Sequence, residues 1–299
     1  MSKLSSRKYH AKVLLFGEYT VIDGSAAVAV PWRKYYSEWS LANDAESKKG
    51  LALLKTHLAQ LYYKGDINGI DFDGYERDYT KGLSFSSSIP TGYGLGSSGA
   101  LTAGFFDRYF DKNKRYELPE LKQLLGKIES CFHGNSSGLD PLVSYLNMPL
   151  LVHPDGDVEI MDDDKSHFLK DIRLIDTGIK RSTAPLVTAY KKTREQSADF
   201  LKDTQEIAEV TDQLIEAYIL DETSDYEALY KKLSQLQLNF LGMLIPIKYA
   251  ELWKEGLESD AYYMKLCGAG GGGCLLMHVV DEVDADKNFE GVTVRKLII

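Results

Sequence analysis

Cysteine is scarce in this chain. Its 299 residues include three, Cys131, Cys267 and Cys274, and none sits in a CxxC pair. Three cannot make a disulfide framework, so free, mostly buried thiols in a reducing compartment are expected. Long apolar runs are missing as well. The basic N-terminal stretch has an apolar run of only Val13 to Phe16, too short for the core of a signal peptide. No later segment approaches the ~20 apolar residues of a membrane span. A cytoplasmic protein with no membrane partner is therefore expected. Positive charge is in deficit, with 35 Lys and Arg against 44 Asp and Glu and a net charge of -9. A nonspecific nucleic-acid binder carries the opposite sign, so nucleic acid is not expected as a partner. A small anionic substrate stays compatible, because a few placed cations and backbone N–H groups outweigh a diffuse negative field at short range.

Hydrophobic residues make up 44% of the chain, enough to bury a core and to set disorder aside. The length fits one large or two ordinary domains. There is no fixed-period repeat or low-complexity tract. Val13–Phe16 reads as a buried strand, and Ala26–Val30 as a second apolar run ended by Pro31. Leu51–Tyr62 has helical spacing, and Leu83–Ser86 alternates like a strand before a glycine-rich loop. Leu101, Phe105 and Tyr109 then recur every fourth residue, marking a helix. A further helix starts at Pro119 and stops at Gly134. A hairpin is expected around Asp155-Gly156, with a strand over Arg173–Asp176. Pro185 to Glu258 is mostly helical, with breaks near Asp221–Asp225 and at Pro246. The end reads as a strand (Tyr262–Leu266), a glycine loop, a strand (Cys274–Val280) and a final strand (Val292–Ile299). Without regular βαβ alternation, the expected class is α+β.

Three stretches carry the chemistry. Pro90-Thr-Gly-Tyr-Gly94-Leu95-Gly96-Ser97-Ser98-Gly99-Ala100 places closely spaced glycines and two serines at a helix start. The first turn of a helix has unpaired N–H groups and the positive end of the dipole, and glycines let a phosphate reach them. The plain alternative is a tight turn with a serine cap. Gly94-x-Gly96-x-x-Gly99 also fits the dinucleotide fingerprint, but Pro90 interrupts the strand-to-glycine turn which that motif requires, and no Walker A lysine follows. A second loop, Lys265 to Cys274, has five glycines in six positions, more than a hairpin needs, which favours close packing on a ligand or another loop. Third, Glu129 and Asp140 flank a Ser-Gly turn, where two carboxylates could hold a metal and receive a proton. Asp140 before Pro141 reads equally as an ordinary helix N-cap. No role is assigned to His133.

Taken in order, the segments around Lys12-Val-Leu-Leu-Phe-Gly17-Glu18-Tyr19, Pro90–Ala100 and Lys265–Cys274 resemble the three motifs of the GHMP kinase family. The resemblance spans nearly the whole chain. It implies a two-domain α+β fold: an N-terminal domain like domain 2 of ribosomal protein S5, over residues 1–168, and a ferredoxin-like C-terminal domain over 169–299. It implies phosphoryl transfer from ATP with Mg²⁺ to the hydroxyl of a small alcohol. Residue by residue, it makes Asp140 the catalytic carboxylate and Lys12 its partner. Pro90, Gly94, Leu95, Gly96, Ser97, Ser98, Gly99 and Ala100 would hold ATP, and Ser98 with Glu129 would hold Mg²⁺. Glu18, Arg181, Thr183, Gly268, Ala269 and Gly270 would lie at the substrate. His133-Gly-Asn-Ser-Ser-Gly-Leu-Asp140 is similar to the segment of the family's mevalonate kinases, whereas Gly-Glu-Tyr is closer to its phosphomevalonate kinases. Mevalonate is the expected acceptor, with phosphomevalonate as the alternative and a non-catalytic sensor on the same fold as a third reading. A homodimer is compatible with the resemblance.

Overall fold

Period-two segments become strands and period-3.6 segments become helices along most of the chain. The computed structural model describes residues 7–41, 45–162, 166–282, 289 and 291–297. Its elements form two compact units. The first is built from Met1–Lys12, Pro31–Pro90 and Leu95–Met148, the second from Val13–Val30, Thr91–Gly94 and Pro149–Ile299. Strands β1 (Tyr9–Phe16) and β2 (Ala27–Ser40) each run through both. The division expected between 1–168 and 169–299 is linear, whereas these units are interleaved. The class is α+β, as expected.

In the first unit, the end of β2 pairs antiparallel with β3 (Ser84–Ser87), from Ser37↔Ser87 to Ser40↔Ser84. Around this ladder lie α1 (Ala45–Lys64), α2 (Phe72–Thr80), α3 (Ser97–Tyr109), α4 (Leu118–His133) and α5 (Leu139–Leu146). Helix α3 is central and packs on both α4 and α5. Small residues allow this: Gly99, Ala100, Ala103 and Gly104 are all buried along it. A Cβ on Gly104 would stand 2.5 Å from the Phe85 ring. Trp39 closes the same region, its ring 4.9 Å from Phe85 and its Nε1 donating to the Gly104 carbonyl at 3.3 Å. Pro119 lies in the first turn of α4, and Gly134 caps its end at φ 74°.

In the second unit, the start of β2 pairs with β4 (Leu150–Val152), which pairs with β5 (Val158–Ile160) in the predicted hairpin. After α6 (Ser166–Leu169) come β6 (Ile172–Asp176) and the helices α7 (Thr183–Gln196), α8 (Ala198–Leu220), α9 (Tyr226–Phe240) and α10 (Ile247–Ser259). They are followed by β7 (Tyr262–Leu266), β8 (Cys274–Val279) and β9 (Thr293–Lys296). The last four strands form an antiparallel sheet in the order β7-β8-β6-β9, with α9 and α10 packed on β7. Buried Trp253 ties α10 to α9 by donating to Ser234 Oγ at 2.8 Å.

Some sequence expectations are corrected. Pro31 does not end β2; the strand continues to Ser40. Its missing N–H falls between the stretch paired to β4 and the stretch paired to β3, where that ladder makes no demand on it. Asp140 is not an N-cap: α5 is capped by Gly138, at φ 76°, and Asp140 sits in the first turn. The helical region also breaks at Ser197, whose hydroxyl accepts from Phe200 N–H at 3.1 Å and caps α8. The final strand is described over Thr293–Lys296, and residues 298–299 of the expected strand lie outside the described residues.

The packing around α3 yields a direct test. Gly104→Ala forces a methyl into the Phe85 ring and should cost about 1–3 kcal/mol. Urea unfolding at neutral pH would read it as a lower midpoint with an unchanged slope.

Candidate active site

The first unit brings the catalytic candidates together. Lys12 comes from β1, and its N–H donates to the Leu95 carbonyl at 2.9 Å, fastening the strand to the glycine loop. Its ammonium lies 2.7 Å from Asp140 Oδ1, with the lysine side chain 8% exposed and the aspartate 31%. Asp140 reaches this position because α5 starts hard against α3. A Cβ on Gly99 would lie 2.8 Å from the Asp140 main chain, and one on Gly96 would lie 3.6 Å from Asp140 Oδ2. Helix α3 begins after Gly96, at φ 77°, with no side chain capping its first N–H groups. Those donors and the dipole are what an anion needs. The glycines of the motif thus admit the aspartate as well as leaving donors uncapped. Leu95 and Ala100 bury their side chains, so only their backbones could meet a phosphate.

In the first turn of α3, Ser98 Oγ donates to Glu129 Oε1 at 2.9 Å. Ser136 donates to the other oxygen at 2.5 Å and accepts from the Gly138 N–H at 3.0 Å. Gly138 has no room for a side chain, because a Cβ would collide with the Lys122 carbonyl of α4. Glu129 is 3% exposed. Burial, then repulsion from Asp140, push its carboxyl up to about 7, against hydrogen bonds from Ser136 and Ser98 and the Lys12 charge. Sequence reasoning missed Ser136. In Asn135-Ser136-Ser137-Gly138 two adjacent hydroxyls compete for the role, and the spacing does not say which faces the helix; Ser137 instead accepts from Leu139 N–H at 3.3 Å.

The second unit assembles the substrate candidates. Glu18 is sealed inside, its carboxylate 2.6 Å from Lys265 Nζ and accepting from the Gly268 N–H. Burial raises its carboxyl while Lys265 pulls it back. Its contacts are therefore with the second glycine loop. Tyr19, next in sequence, donates to the Ala269 carbonyl at 2.7 Å. Burial raises its hydroxyl to about 12, opposed by the nearby Arg181 charge. Arg181 lies between glycines of both loops: a Cβ on Gly94 would collide with its guanidinium, and one on Gly268 would stand 2.9 Å from it. Arg181 donates to Thr183 Oγ1 at 3.2 Å, and its N–H to the Gly92 carbonyl at 3.1 Å. Gly270 runs against the Leu244 carbonyl, 2.5 Å from where a Cβ would be. Cys267 and Cys274 are buried beside this loop and Cys131 is half-buried. Burial pushes the Cys274 thiol up, so it packs rather than reacts.

A lysine–aspartate pair beside an uncapped helix start, with a serine–glutamate pair at that same first turn, is an arrangement chemically able to support phosphoryl transfer. A family model described as the GHMP kinases N terminal domain matches residues 54–147. Mevalonate kinase of Pyrococcus abyssi is 28% identical over 306 aligned residues, 92% of this chain and 88% of that protein. The crystal structure of Methanococcus jannaschii mevalonate kinase matches with a TM-score of 0.66 at 20% identity, covering 100% of this chain and 99% of that one. The L. major mevalonate kinase, solved in complex with R-mevalonate, also gives 0.66, at 16% identity and 99% coverage of both chains. Residues 54–147 thus match the GHMP kinases N terminal domain, and along nearly the whole chain the fold is that of mevalonate kinases of known structure. Among its described residues, no helix is long and apolar enough to cross a membrane.

The raised carboxyl gives a pH-dependent stability. In the folded chain Glu129 holds its proton up to about 7, against an ordinary 4.5. The folded form therefore loses stability as pH rises from the lower value through the upper. Glu129→Gln removes the charge and should raise the melting temperature by roughly 5 °C above pH 7, with the gain fading toward pH 5. Thermal scans of both proteins without nucleotide, across that pH range, check it.

Proposed function

We propose that this chain is a GHMP-family kinase that transfers the terminal phosphoryl group of ATP to the hydroxyl of mevalonate, in the cytoplasm, with Mg²⁺. The choice of acceptor is supported by the relatives named mevalonate kinase, and the chemistry by the Lys12–Asp140 pair at 2.7 Å. The donor set fits magnesium. Ser98 Oγ and Glu129 Oε1 are hard oxygens beside a helix start, and among the described residues no group of three or more His, Cys, Asp or Glu forms a cage. That suits a cation held by one carboxylate together with phosphate and water oxygens. Bound there, magnesium would neutralise charge on the outer phosphates.

The residues then divide the work. The first N–H groups of α3 hold the phosphates. Asp140 orients the acceptor hydroxyl and takes its proton as the new P–O bond forms and the bond to the ADP oxygen breaks. Lys12 keeps Asp140 in place and lowers the cost of negative charge on the attacking oxygen. With a loose transition state, positioning counts for more than basicity. In the second unit, Arg181 and Thr183 present a cation and a hydroxyl beside the glycine loop that begins at Gly268.

ADP release with Mg·ATP, compared across mevalonate, 5-phosphomevalonate, galactose and homoserine, tests the acceptor; preference for any but mevalonate overturns it. Asp140→Asn should lower kcat by roughly 10² to 10⁴ while ATP still binds. Near-normal turnover in that variant would remove Asp140 from the mechanism.

A further inference from the structure

Ser136 touches Glu129 but has no task in the mechanism above. It stands half-buried in the turn between α4 and α5. Backbone contacts place that turn. A Cβ on Gly126, in α4, would lie 3.0 Å from the Ser136 carbonyl oxygen and 3.1 Å from the Gly138 nitrogen, and one on Gly138 would collide with the Lys122 carbonyl. Main chain rests on main chain at both points, so the position of Ser136 does not depend on its hydroxyl. Gly126 precedes Glu129 by three residues, which puts the two on one side of α4. The turn seated on the glycine therefore brings the Ser136 hydroxyl to the glutamate.

That hydroxyl makes two bonds of opposite sense. It donates to Glu129 Oε2 at 2.5 Å and accepts from the Gly138 N–H at 3.0 Å. A hydroxyl has one hydrogen; here the carboxylate takes it, and a lone pair meets the backbone donor. Gly138 is the N-cap of α5, and Asp140 sits two residues on, in the first turn. Ser136 thus joins the Glu129 side chain on α4 to the start of the helix that carries Asp140. The other glutamate oxygen, Oε1, accepts from Ser98 of α3 at 2.9 Å. With one hydroxyl on each oxygen, the carboxylate is fixed against rotation about its terminal bond. Once Ser98 and Oε1 are engaged by a cation, Ser136 is the hydroxyl that still holds the carboxylate. Partners of this kind orient a ligating group and raise its affinity for metal.

We propose that Ser136 is a positioning residue for the metal, tying the Glu129 carboxylate to the start of α5 so that Oε1 is kept for the cation and Glu129 and Asp140 keep a fixed spacing. This rests on the reading of Glu129 as a magnesium ligand. Ser136→Ala tests it, because one hydroxyl goes while the backbone contacts of the turn stay. Mn²⁺, read by EPR in the presence of ADP, is the probe. Its dissociation constant should rise about tenfold in the variant, and the Mg²⁺ concentration that gives half-maximal turnover should rise with it. In the metal-free protein, the Gly138 amide has lost its acceptor and should exchange with solvent about tenfold faster, as followed by NMR. Ser136→Thr keeps a hydroxyl and should restore both values. Ser130→Ala removes a hydroxyl that donates to the Lys127 carbonyl on the same helix, and should change neither. Unchanged Gly138 exchange in Ser136→Ala overturns the tie. Faster exchange with Mn²⁺ bound as tightly as before overturns the role toward the metal, and so does an equal loss of Mn²⁺ affinity in Ser136→Thr. Unchanged Mn²⁺ affinity in Glu129→Ala overturns the ligand reading itself, while the exchange data still decide the tie.

Discussion

Close approach of backbone to backbone is the constraint from which the active site follows. A carboxylate and a lysine can meet beside a helix start only if nothing projects between them, and the chain meets that condition with glycine. Gly99 lets the first turn of α5 lie on α3, Gly96 takes the left-handed backbone that opens α3 beside Asp140 and Lys12, and Gly138 seats the intervening turn on α4. A methyl group at Gly99 or Gly138 would meet main-chain atoms rather than a flexible side chain, whereas at Gly96 the constraint is the left-handed backbone at φ 77°. The same condition operates in the second unit, where two glycine loops flank the Arg181 guanidinium. Glycine in this protein is therefore chiefly a means of bringing charged groups within reach of one another.

Bringing charges together has an electrostatic cost. Glu129 and Asp140 repel, and both gain from Lys12, which can pair closely with only one of them. Lys12 goes to Asp140, and Glu129 is left with two hydroxyls. A buried carboxylate held by neutral donors is under-compensated, and its raised proton affinity measures the deficit. A divalent cation would repair that deficit more fully than any side chain nearby. In the unliganded protein the deficit is carried as a raised affinity for a proton.

Much of this was legible in the sequence, for identifiable reasons. Glycine clusters, an uncapped helix start and a carboxylate on each side of a Ser-Gly turn are local patterns, and local patterns survive without coordinates. Helix α4 could be bounded at both ends because Pro119 and Gly134 act through their own backbone preferences. What stayed hidden depends on partners distant in sequence. Pro31 reads as a strand end until the gap between the β3 and β4 pairings is known. Asp140 reads as a cap until Lys12 is found beside it. Glu18 has its partner in Lys265, 247 positions away, and nothing near either residue in sequence announces that pairing. The choice of Ser136 over Ser137 depends on which face of a turn meets α4, and two adjacent identical residues cannot reveal that.

The interleaving of the two units sets a timetable for the chain as it is made. Ala27–Ala29 belong to the second unit, and their partners on β4, Leu150–Val152, come more than a hundred residues later. At ordinary rates of synthesis that edge of β2 waits on the order of 10 s before β4 emerges to cover it. During the wait it is a short row of apolar residues, Ala27-Val28-Ala29-Val30, with unsatisfied backbone groups, the kind of edge that pairs with whatever strand is nearest. The newborn chain thus carries an open strand edge for as long as β4 is missing.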